Sequence, residues 1–488
     1  MTAYLKRLLT TAAAYQVADI VSKPIAVVLL PVYTRKLSSA DYGTAELLIA
    51  LVIFGSIVVR LGIGEAFVRY HYEQADDAQR GALARRAFAF LLVVSTAVSL
   101  LLLAFAGPLS ELVLGHRDTT LFSIAVLGLW AFSNLELAYA LLRVEERARA
   151  YAIASLANVL MTVALTLWLV VARDEGARGL LLGNYAASTV VLLGLWWALR
   201  GRLVPRGAPA HGLGTLLRFG LPTVPADASV FALNLIDRWY LYHRQGAAAA
   251  GLYSIAVKLA GVVVFAVRGF QYAWPPLAYS VSDDAEARRV YAFVTTYYVL
   301  VTGIVVAGLA LLGRWLVRLL AAPSYFQAYE AIPWVALGWA LYGLFLIFVV
   351  IAGRAKVTTR NFPAALAGLL VNVGLLFVLV PPLGIAGAGV ALAGAYVVML
   401  AVMRLLTRGL FEVPIEWGRI ARVVAVAGGI AVAGDLLLPT SGTAGLLTRA
   451  GALAAIPVVL VATRFFRPEE VARIRVLARR LRPAPARG

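Results

Sequence analysis

The 488-residue sequence has no cysteine, only four histidines and just 14% charged residues. The lack of cysteine excludes disulfides, thiol nucleophiles and thiolate metal sites, and four scattered histidines argue against a metal centre. Soluble domains carry about 25% charged and about 45–50% apolar residues. The hydrophobic content of 62% exceeds what soluble packing can bury, so the expected solvent is lipid. We therefore exclude a soluble enzyme and predict a membrane-embedded protein that needs no cofactor.

Apolar segments of about 20 residues, enough to cross the hydrocarbon core as helices, recur along the whole chain. The predicted fold class is all-α integral membrane, with about fourteen spans separated by loops too short to hold a domain. In chain order, spans 1 to 14 are predicted near residues 11–33, 44–63, 87–107, 120–142, 150–171, 179–199, 219–240, 251–272, 290–313, 330–352, 362–381, 386–406, 423–438 and 446–463.

Basic residues indicate the orientation of these spans. Of the 44 Lys and Arg residues, more than three times as many fall in one set of loops and termini as in the other. Because cytoplasmic loops carry the excess of basic residues, both termini are predicted to be cytoplasmic. The net charge of +19 is thereby explained without nucleic acid, since no soluble basic module remains.

An internal repeat relates the two halves of the sequence. Ala18-Asp19 in span 1 matches Ala226-Asp227 in span 7, and Arg60 matches Arg268 at a similar offset. Six spans per repeat is an even number, so the two lobes should be related by a pseudo-two-fold axis along the membrane normal. The predicted organisation is an N-terminal lobe at 1–200, a basic cytoplasmic linker at 201–218, a C-terminal lobe at 219–410, accessory helices at 411–464 and a basic amphipathic tail at 465–488.

Several motifs resemble one transporter family. The segment from Leu30 to Gly43 (Leu-Pro-Val-Tyr-Thr-Arg-Lys-Leu-Ser-Ser-Ala-Asp-Tyr-Gly) is similar to the start of the polysaccharide-transporter, or Wzx-type flippase, branch of the multidrug/oligosaccharidyl-lipid/polysaccharide (MOP) superfamily. The resemblance covers roughly residues 10–410. Further motifs that resemble spans 7 and 8 of that family are Gly220…Pro222…Pro225, Asn234…Asp237-Arg238 and Gly251-Leu-Tyr253-Ser…Lys258-Leu.

The resemblance implies a flippase in a bacterial inner membrane. Its substrate would be a polyprenyl-diphosphate-linked oligosaccharide, a repeat unit of O-antigen, capsule or exopolysaccharide, moved to the periplasmic leaflet by alternating access. Membrane lipid and a polysaccharide polymerase or export complex are the other candidate partners. Two alternatives stay open: another transporter of the superfamily, such as a lipid II flippase or drug/cation antiporter, and a membrane polysaccharide polymerase or ligase.

Ionisable residues inside the spans are the candidate site residues. Each would cost about 2.5–3.5 kcal/mol at mid-bilayer if it faced lipid, so such residues are expected to face a water-filled cavity or a partner. Arg binds phosphate through a planar pair of donors, whereas Lys acts as a point charge. The predicted ligands of the diphosphate and sugar acids are Lys23, Arg60, Arg238, Lys258 and Arg268.

Three carboxylates, Asp19, Glu136 and Asp227, are predicted to carry a coupling proton or sodium ion, or to tune those cations. The competing interpretation is that Asp19 and Lys23, which are one helical turn apart, form a self-neutralising ion pair. Asp237 and Arg238, near the interface, would neutralise each other in a similar way. No acidic residue on its own helix can neutralise Lys258. Aromatic residues at span ends, Trp239, Tyr242 and Trp274, are candidates for stacking on sugar or belong to the interfacial belt.

Two acidic pairs lie in loops, Asp76-Asp77 and Asp283-Asp284. Paired aspartates could hold a metal-bound diphosphate, but solvated loop charge is the favoured interpretation.

Overall fold

The structure, a computed structural model, describes residues 25, 27–203, 212–281, 283–354, 357–468 and 470. Within these ranges the regular elements are helices, and no strand occurs. The predicted all-α class is confirmed.

Twelve of the described helical segments are long and apolar enough to cross a bilayer. They are Ser39–Val59, Asp77–Ala104, Thr119–Val144, Ala148–Ala172, Gly176–Ala198, Leu213–Gln245, Ala247–Phe265, Asp284–Leu320, Ile332–Arg354, Asn361–Thr407, Trp417–Leu437 and Gly442–Ala462. The shorter helices are Leu30–Lys36, Ile63–His71, Ala106–Leu114, Arg200–Leu203, the 3₁₀ helix Pro323–Glu330 and the 3₁₀ turn Thr358–Arg360. The segment Ala247–Phe265 comprises the helix Ala247–Ala260 and the first residues of the next helix, Val262–Ser280.

These segments account for predicted spans 2 to 14 in order. Spans 11 and 12 share the helix Asn361–Thr407, which is interrupted at Gly384, where φ is 57° and ψ is −136°. Pro381 and Pro382 precede this point, and proline removes the backbone donors that a continuous helix would need. Most of span 1 lies outside the described residues, so the total of fourteen stays a prediction.

The first of two compact units combines the described residues up to Leu259 with Val317–Ala331 and Asn361–Val398. At its centre, Thr119–Val144 packs against Asp77–Ala104 and Gly176–Ala198. The ring of Tyr185 lies so close to Gly128 that a Cβ there would come within 2.4 Å of it. Span 4 is therefore a packed interior helix rather than a lipid-facing one.

The second unit comprises Ala260–Leu316, Ile332–Arg360 and the described residues from Met399 onward. Val262–Ser280 packs against Ile332–Arg354, and Trp417–Leu437 packs against Gly442–Ala462. Leu436 and Leu437 are 76% and 80% exposed, as expected for side chains that face acyl chains.

The boundaries of the two predicted lobes, the linker, the accessory helices and the tail stay predictions, as does their pseudo-two-fold relation. Residues 204–211 of the linker and nearly all of the tail lie outside the described residues.

Candidate functional site

A cavity of about 480 Å³ lies in the first unit, where spans 2 and 4 meet the short helix Ile63–His71. Two predicted site residues, Arg60 and Glu136, line this cavity, and Phe219 at the start of span 7 forms part of its wall. Its other charged lining residues are Glu65, Arg69 and Arg143.

A second cavity, of about 300 Å³, adjoins the first and shares Arg60, Glu65 and Thr223 with it. Asp227, another predicted site residue, lines this second cavity. The two are called the Arg60 cavities below. The fold thus brings together side chains from spans 2, 4 and 7, at the ends of these spans that are predicted to be cytoplasmic.

The backbone around Arg60 explains how the cavities form. Arg60 is the C-cap of span 2, and its Nε donates to the Ser56 carbonyl at 3.1 Å. Leu61 and Gly62 then adopt left-handed conformations, with φ of 50° and 69°, which end the helix and redirect the chain. A Cβ at Gly62 would lie 2.1 Å from the Gly220 carbonyl oxygen, so only glycine permits this approach to span 7.

Among the described residues that line the Arg60 cavities, positive and negative charges are balanced. Three guanidinium groups, from Arg60, Arg69 and Arg143, share the walls with three carboxylates, from Glu65, Glu136 and Asp227. Arg69 and Glu73 form an exposed pair at 3.2 Å. Such a site offers bidentate donors for phosphate oxygens next to carboxylates that hold the guanidinium groups in place or accept hydroxyl donors.

Glu65, Arg69 and Arg143 were not predicted from the sequence as site residues, because all three lie outside the predicted spans. A signal was present, since Ile63, Ala66 and Phe67 recur at helical spacing and are fully buried. An amphipathic helix in the loop after span 2 could have been predicted from this pattern, with Glu65 and Arg69 on its other face.

Close to these cavities, Arg202 joins two loops. It donates to Asp77 Oδ2 at 2.6 Å and lies 2.9 Å from Glu145 Oε1. The hydrogen bond to Asp77 raises the pKa of Arg202 above its usual value, although burial acts against this. Asp76 caps the next helix by accepting from the Gln79 amide at 2.7 Å. Both aspartates of this loop therefore have structural partners.

Lys258 has a quite different environment from Arg60. Its Nζ donates to Glu46 Oε1 and to the Tyr42 hydroxyl, each at 2.5 Å, and it lies 4.9 Å from the centre of the Tyr42 ring. The Lys258 side chain is 32% exposed and that of Glu46 is 10% exposed. As the sequence shows, span 8 has no acidic residue that could neutralise Lys258. Glu46 on span 2 neutralises it instead.

Small residues make the contact between Lys258 and Glu46 possible. A Cβ at Gly43 would lie 1.9 Å from the Ala247 carbonyl oxygen, and one at Gly251 would lie 2.0 Å from that of Ser39. Spans 2 and 8 therefore cross with their backbones in contact, as helices with small interfacial residues do in membranes. Glu46 lies one turn beyond Gly43, and Lys258 lies two turns beyond Gly251. Each charged residue therefore lies shortly after the crossing point on its own helix.

The loop between spans 9 and 10 packs against the same end of the first unit. The Tyr325 hydroxyl donates to the Leu37 carbonyl at 3.0 Å, and the Ala322 amide donates to Thr34 Oγ1 at 3.0 Å. The Tyr325 ring meets the Tyr42 ring edge-on, with centroids 6.0 Å apart. This predicted periplasmic loop thus covers the beginning of span 2.

Arg238 and Asp237 point to different partners. Arg238 donates to Ser254 Oγ at 3.1 Å and to the Asn234 carbonyl at 2.7 Å. Asp237 is completely buried and accepts from the Tyr253 hydroxyl at 2.8 Å through Oδ2, while its Oδ1 has no hydrogen-bond partner among the described residues. Asn372, also completely buried, lies beside it.

The remaining predicted site residues are spread over both units. In the first unit, Trp239 is 39% exposed, whereas Tyr242 is 7% exposed and shares a hydrogen bond with the Thr44 hydroxyl at 3.2 Å. In the second unit, Arg268 is exposed, and Trp274 is 2% exposed and lies between the rings of Phe270 and Tyr291. Their proposed contacts with sugar or diphosphate stay predictions.

Asp19 and Lys23 lie outside the described residues, so their predicted roles and their predicted pairing stay predictions as well. Within the described part of the chain, no group of three or more His, Asp or Glu side chains could hold a metal ion.

Solved structures with the same fold are transporters. The lipid II flippase MurJ, in an inward closed conformation, matches 93% of this chain and 98% of its own with a TM-score of 0.74 and 12% identity. An inward-facing multidrug resistance transporter of the MATE family, in the MOP superfamily, matches 84% of this chain and 95% of its own with a TM-score of 0.67 and 14% identity. Both neighbours are transporters rather than enzymes, which agrees with the predicted class.

Sequence comparison points to a narrower group. Protein 1 of the Lsg locus of Haemophilus influenzae is 23% identical over 273 residues, and the match spans 54% of this chain and 64% of that protein. The family model described as "Polysaccharide biosynthesis protein" matches residues 32–330, well over half of the chain. The chain therefore belongs to this polysaccharide biosynthesis family and has the helical fold of the MOP superfamily of flippases and transporters.

Proposed function

We propose that this multi-pass membrane protein is a flippase for polyprenyl-diphosphate-linked oligosaccharides in a bacterial inner membrane, with both termini in the cytoplasm. The observation that carries the proposal is the group of three guanidinium groups around the Arg60 cavities, next to the exposed ring of Phe219. A diphosphate needs several fixed donors, and a lipid-linked sugar offers its hydroxyl groups to carboxylates. These cavities lie at the predicted cytoplasmic ends of spans 2, 4 and 7, where a substrate from the cytoplasmic leaflet would enter.

The opposite end of the first unit supports alternating access. The crossing of spans 2 and 8, the Lys258–Glu46 pair and the loop around Tyr325 close the predicted periplasmic side. A substrate bound in the Arg60 cavities can leave outward only after these contacts separate. Lys258 would then release Glu46 and bind the diphosphate instead. The observed ion pair is therefore compatible with the predicted role of Lys258 in substrate binding.

Ion coupling is proposed to involve Asp237 in addition to the predicted carboxylates. Asp237 Oδ1 has no hydrogen-bond partner among the described residues, and the side-chain amide of Asn372 lies beside it. Carboxylate and amide oxygens suit a proton or a sodium ion, and a buried carboxylate is stable only with such a partner. Because Asp237 lies next to Arg238 on span 7, loading of this site would alter the span that forms part of the Arg60 cavities.

The experiment for substrate transport uses a strain that cannot export its glycan. The strain is complemented with the wild-type gene or with the Arg60→Gln and Arg143→Gln variants, and the retained lipid-linked intermediate is identified by mass spectrometry. Loss of one charge-assisted hydrogen bond corresponds to about 1.5–3 kcal/mol, so export by each variant should fall at least about tenfold. Arg149→Gln, an exposed residue of the same predicted cytoplasmic side, should export normally.

Equal export by the double Arg60→Gln/Arg143→Gln variant would refute the site, provided that immunoblots show equal amounts in the membrane. Failure of the wild type to export any glycan, together with increased resistance to cationic drugs, would favour a drug antiporter.

Coupling is tested in proteoliposomes with imposed proton or sodium gradients. Asp237→Asn should abolish gradient-driven transport while exchange of substrate at equal concentrations continues. Gradient-driven transport by this variant at the wild-type rate would exclude Asp237 as the coupling residue.

A further inference from the structure

A cavity of about 640 Å³ in the second unit is separate from the Arg60 cavities. Its walls come from the end of span 10, the end of span 12 and the segment that leads to span 13. Arg404 and Arg408 provide its positive charge, and Phe348, Ile351 and Phe411 provide an apolar wall. A cavity lined by both cationic and apolar side chains suits a molecule with an anionic head and a hydrocarbon body.

Basic charge around this cavity exceeds acidic charge. The guanidinium of Arg408 has no partner among the described residues, and Arg404 lies 5.1 Å from the centre of the Trp417 ring. Arg360 donates to the Leu406 carbonyl and so neutralises the negative end of the span 12 helix. Glu412 is the one carboxylate among the lining residues that the structure describes.

A further cation lies near Phe411 of the apolar wall. Arg288 lies 5.5 Å from the centre of the Phe411 ring, and Arg354, which lies 5.1 Å from the same ring centre, is paired with Asp284 at 2.7 Å. The pair of Arg354 and Asp284 is neutral, so Arg288 adds to the positive field of the cavity.

The surroundings of the cavity are those of a membrane interface. Trp417 is 57% exposed, as tryptophan commonly is at the level of lipid headgroups. Leu405, which also lines the cavity, is 67% exposed, and Val424 on span 13 is 60% exposed. A headgroup at Arg404 and Arg408 would therefore have its acyl chains against exposed leucine and valine.

We propose that this cavity binds the phosphate headgroup of an anionic phospholipid of the surrounding bilayer. Basic pockets between helices on the cytoplasmic side of membrane proteins bind such headgroups. The lipid would join the ends of spans 10 and 12 to the segment before span 13, because its phosphate would lie between Arg404 and Arg408 and all three elements form the walls around it. This site does not depend on the identity of the transported glycan.

The test is lipid binding to the purified full-length protein by native mass spectrometry. Phosphatidylglycerol should bind more tightly than phosphatidylethanolamine, and millimolar inorganic phosphate should not displace it. Each Arg near an anionic lipid contributes about 1 kcal/mol, so Arg404→Gln/Arg408→Gln should weaken phosphatidylglycerol binding by at least about tenfold. Arg149→Gln removes the same charge outside the cavity and should leave binding unchanged.

Two further variants keep the test independent of folding. Arg408→Gln alone removes a side chain without a described partner and should weaken binding while the unfolding temperature stays the same. Arg404→Lys/Arg408→Lys keeps both charges and should restore most of the binding. Unchanged affinity in Arg404→Gln/Arg408→Gln, equal weakening in Arg149→Gln, or displacement of the lipid by free phosphate would each overturn the proposal.

Discussion

Lys258 and Arg60 are both basic residues within predicted spans of the same unit, and their surroundings differ. Lys258 lies at a crossing where backbones touch and is bound to Glu46 and Tyr42. Arg60 lies at a helix end where the chain turns away, and it lines two cavities. Both positions carry a positive charge inside a predicted span, and the packing of the neighbouring helices is what distinguishes the neutralised cation from the accessible one.

Glycine produces both environments. At Gly43 and Gly251 its small size lets two helices touch, and this forces opposite charges together. At Gly62 its left-handed backbone ends a helix beside Gly220 and leaves space around Arg60. The two regions can therefore be altered separately, by changing either the charges or the glycines.

The largest expected effect on stability comes from removing one partner of the Lys258–Glu46 pair. Lys258→Met leaves the carboxylate of Glu46, which is 10% exposed, without its cation. Removal of one partner from a fully buried pair costs roughly 3–5 kcal/mol, and because Lys258 is partly exposed we expect about 2 kcal/mol. The measurement is the unfolding of the detergent-solubilised protein.

The double variant Lys258→Met/Glu46→Met is the matched control. It removes both charges and should recover most of the lost stability. If the loss of unfolding free energy in the double variant equals the sum of the losses in Lys258→Met and Glu46→Met, the two side chains do not interact.

Gly43→Ala tests the helix crossing itself. The added methyl would overlap the Ala247 carbonyl, so spans 2 and 8 must move apart, at an expected cost of about 1–3 kcal/mol in unfolding free energy. Gly194→Ala is the control, since no atom lies within 4 Å of a Cβ there. A stability of Gly43→Ala equal to that of Gly194→Ala would show that the crossing is not closely packed.

Accessibility of the two regions can be compared directly because the sequence has no cysteine. Glu65→Cys places a thiol in the Arg60 cavities, and Thr44→Cys places one at the crossing, where Thr44 is 7% exposed. A membrane-permeant maleimide, which reaches both sides of the bilayer, should label Glu65→Cys at least about tenfold faster, since the reaction needs an exposed thiolate. Equal labelling rates would show that the two environments do not differ.

The smallest effect is expected at the exposed bridge of Arg202. Arg202→Gln removes contacts with Asp77, which is 73% exposed, and with Glu145. Exposed ion pairs contribute about 0.2–1 kcal/mol, so the loss in unfolding free energy should fall in that range and decrease with added salt. A loss of unfolding free energy as large as that of Lys258→Met would mean that the solvent exposure of an ion pair does not determine its contribution to stability.

Much of the fold could be predicted because hydrophobic length is a local property. Spans 2 to 10, 13 and 14 each correspond to an apolar helix, whereas the helix shared by spans 11 and 12 depends on how the chain passes Gly384. The site was less predictable. Arg60, Glu136 and Asp227 were each identified because a charged side chain in lipid is energetically unfavourable. Glu65 and Arg143 lie outside the predicted spans, where a charged side chain carries no such energetic penalty.

The sequence alone determined the solvent, the class of fold and the set of charges that need an explanation, because transfer into lipid depends on residue type and segment length. Only the tertiary structure decided which of those charges are neutralised and which line a cavity. Glu46 lies far from Lys258 in the chain, and their contact exists because two glycines allow spans 2 and 8 to touch. Arg60 and Asp227 line one cavity because Gly62 and Gly220 bring a helix end against the start of span 7.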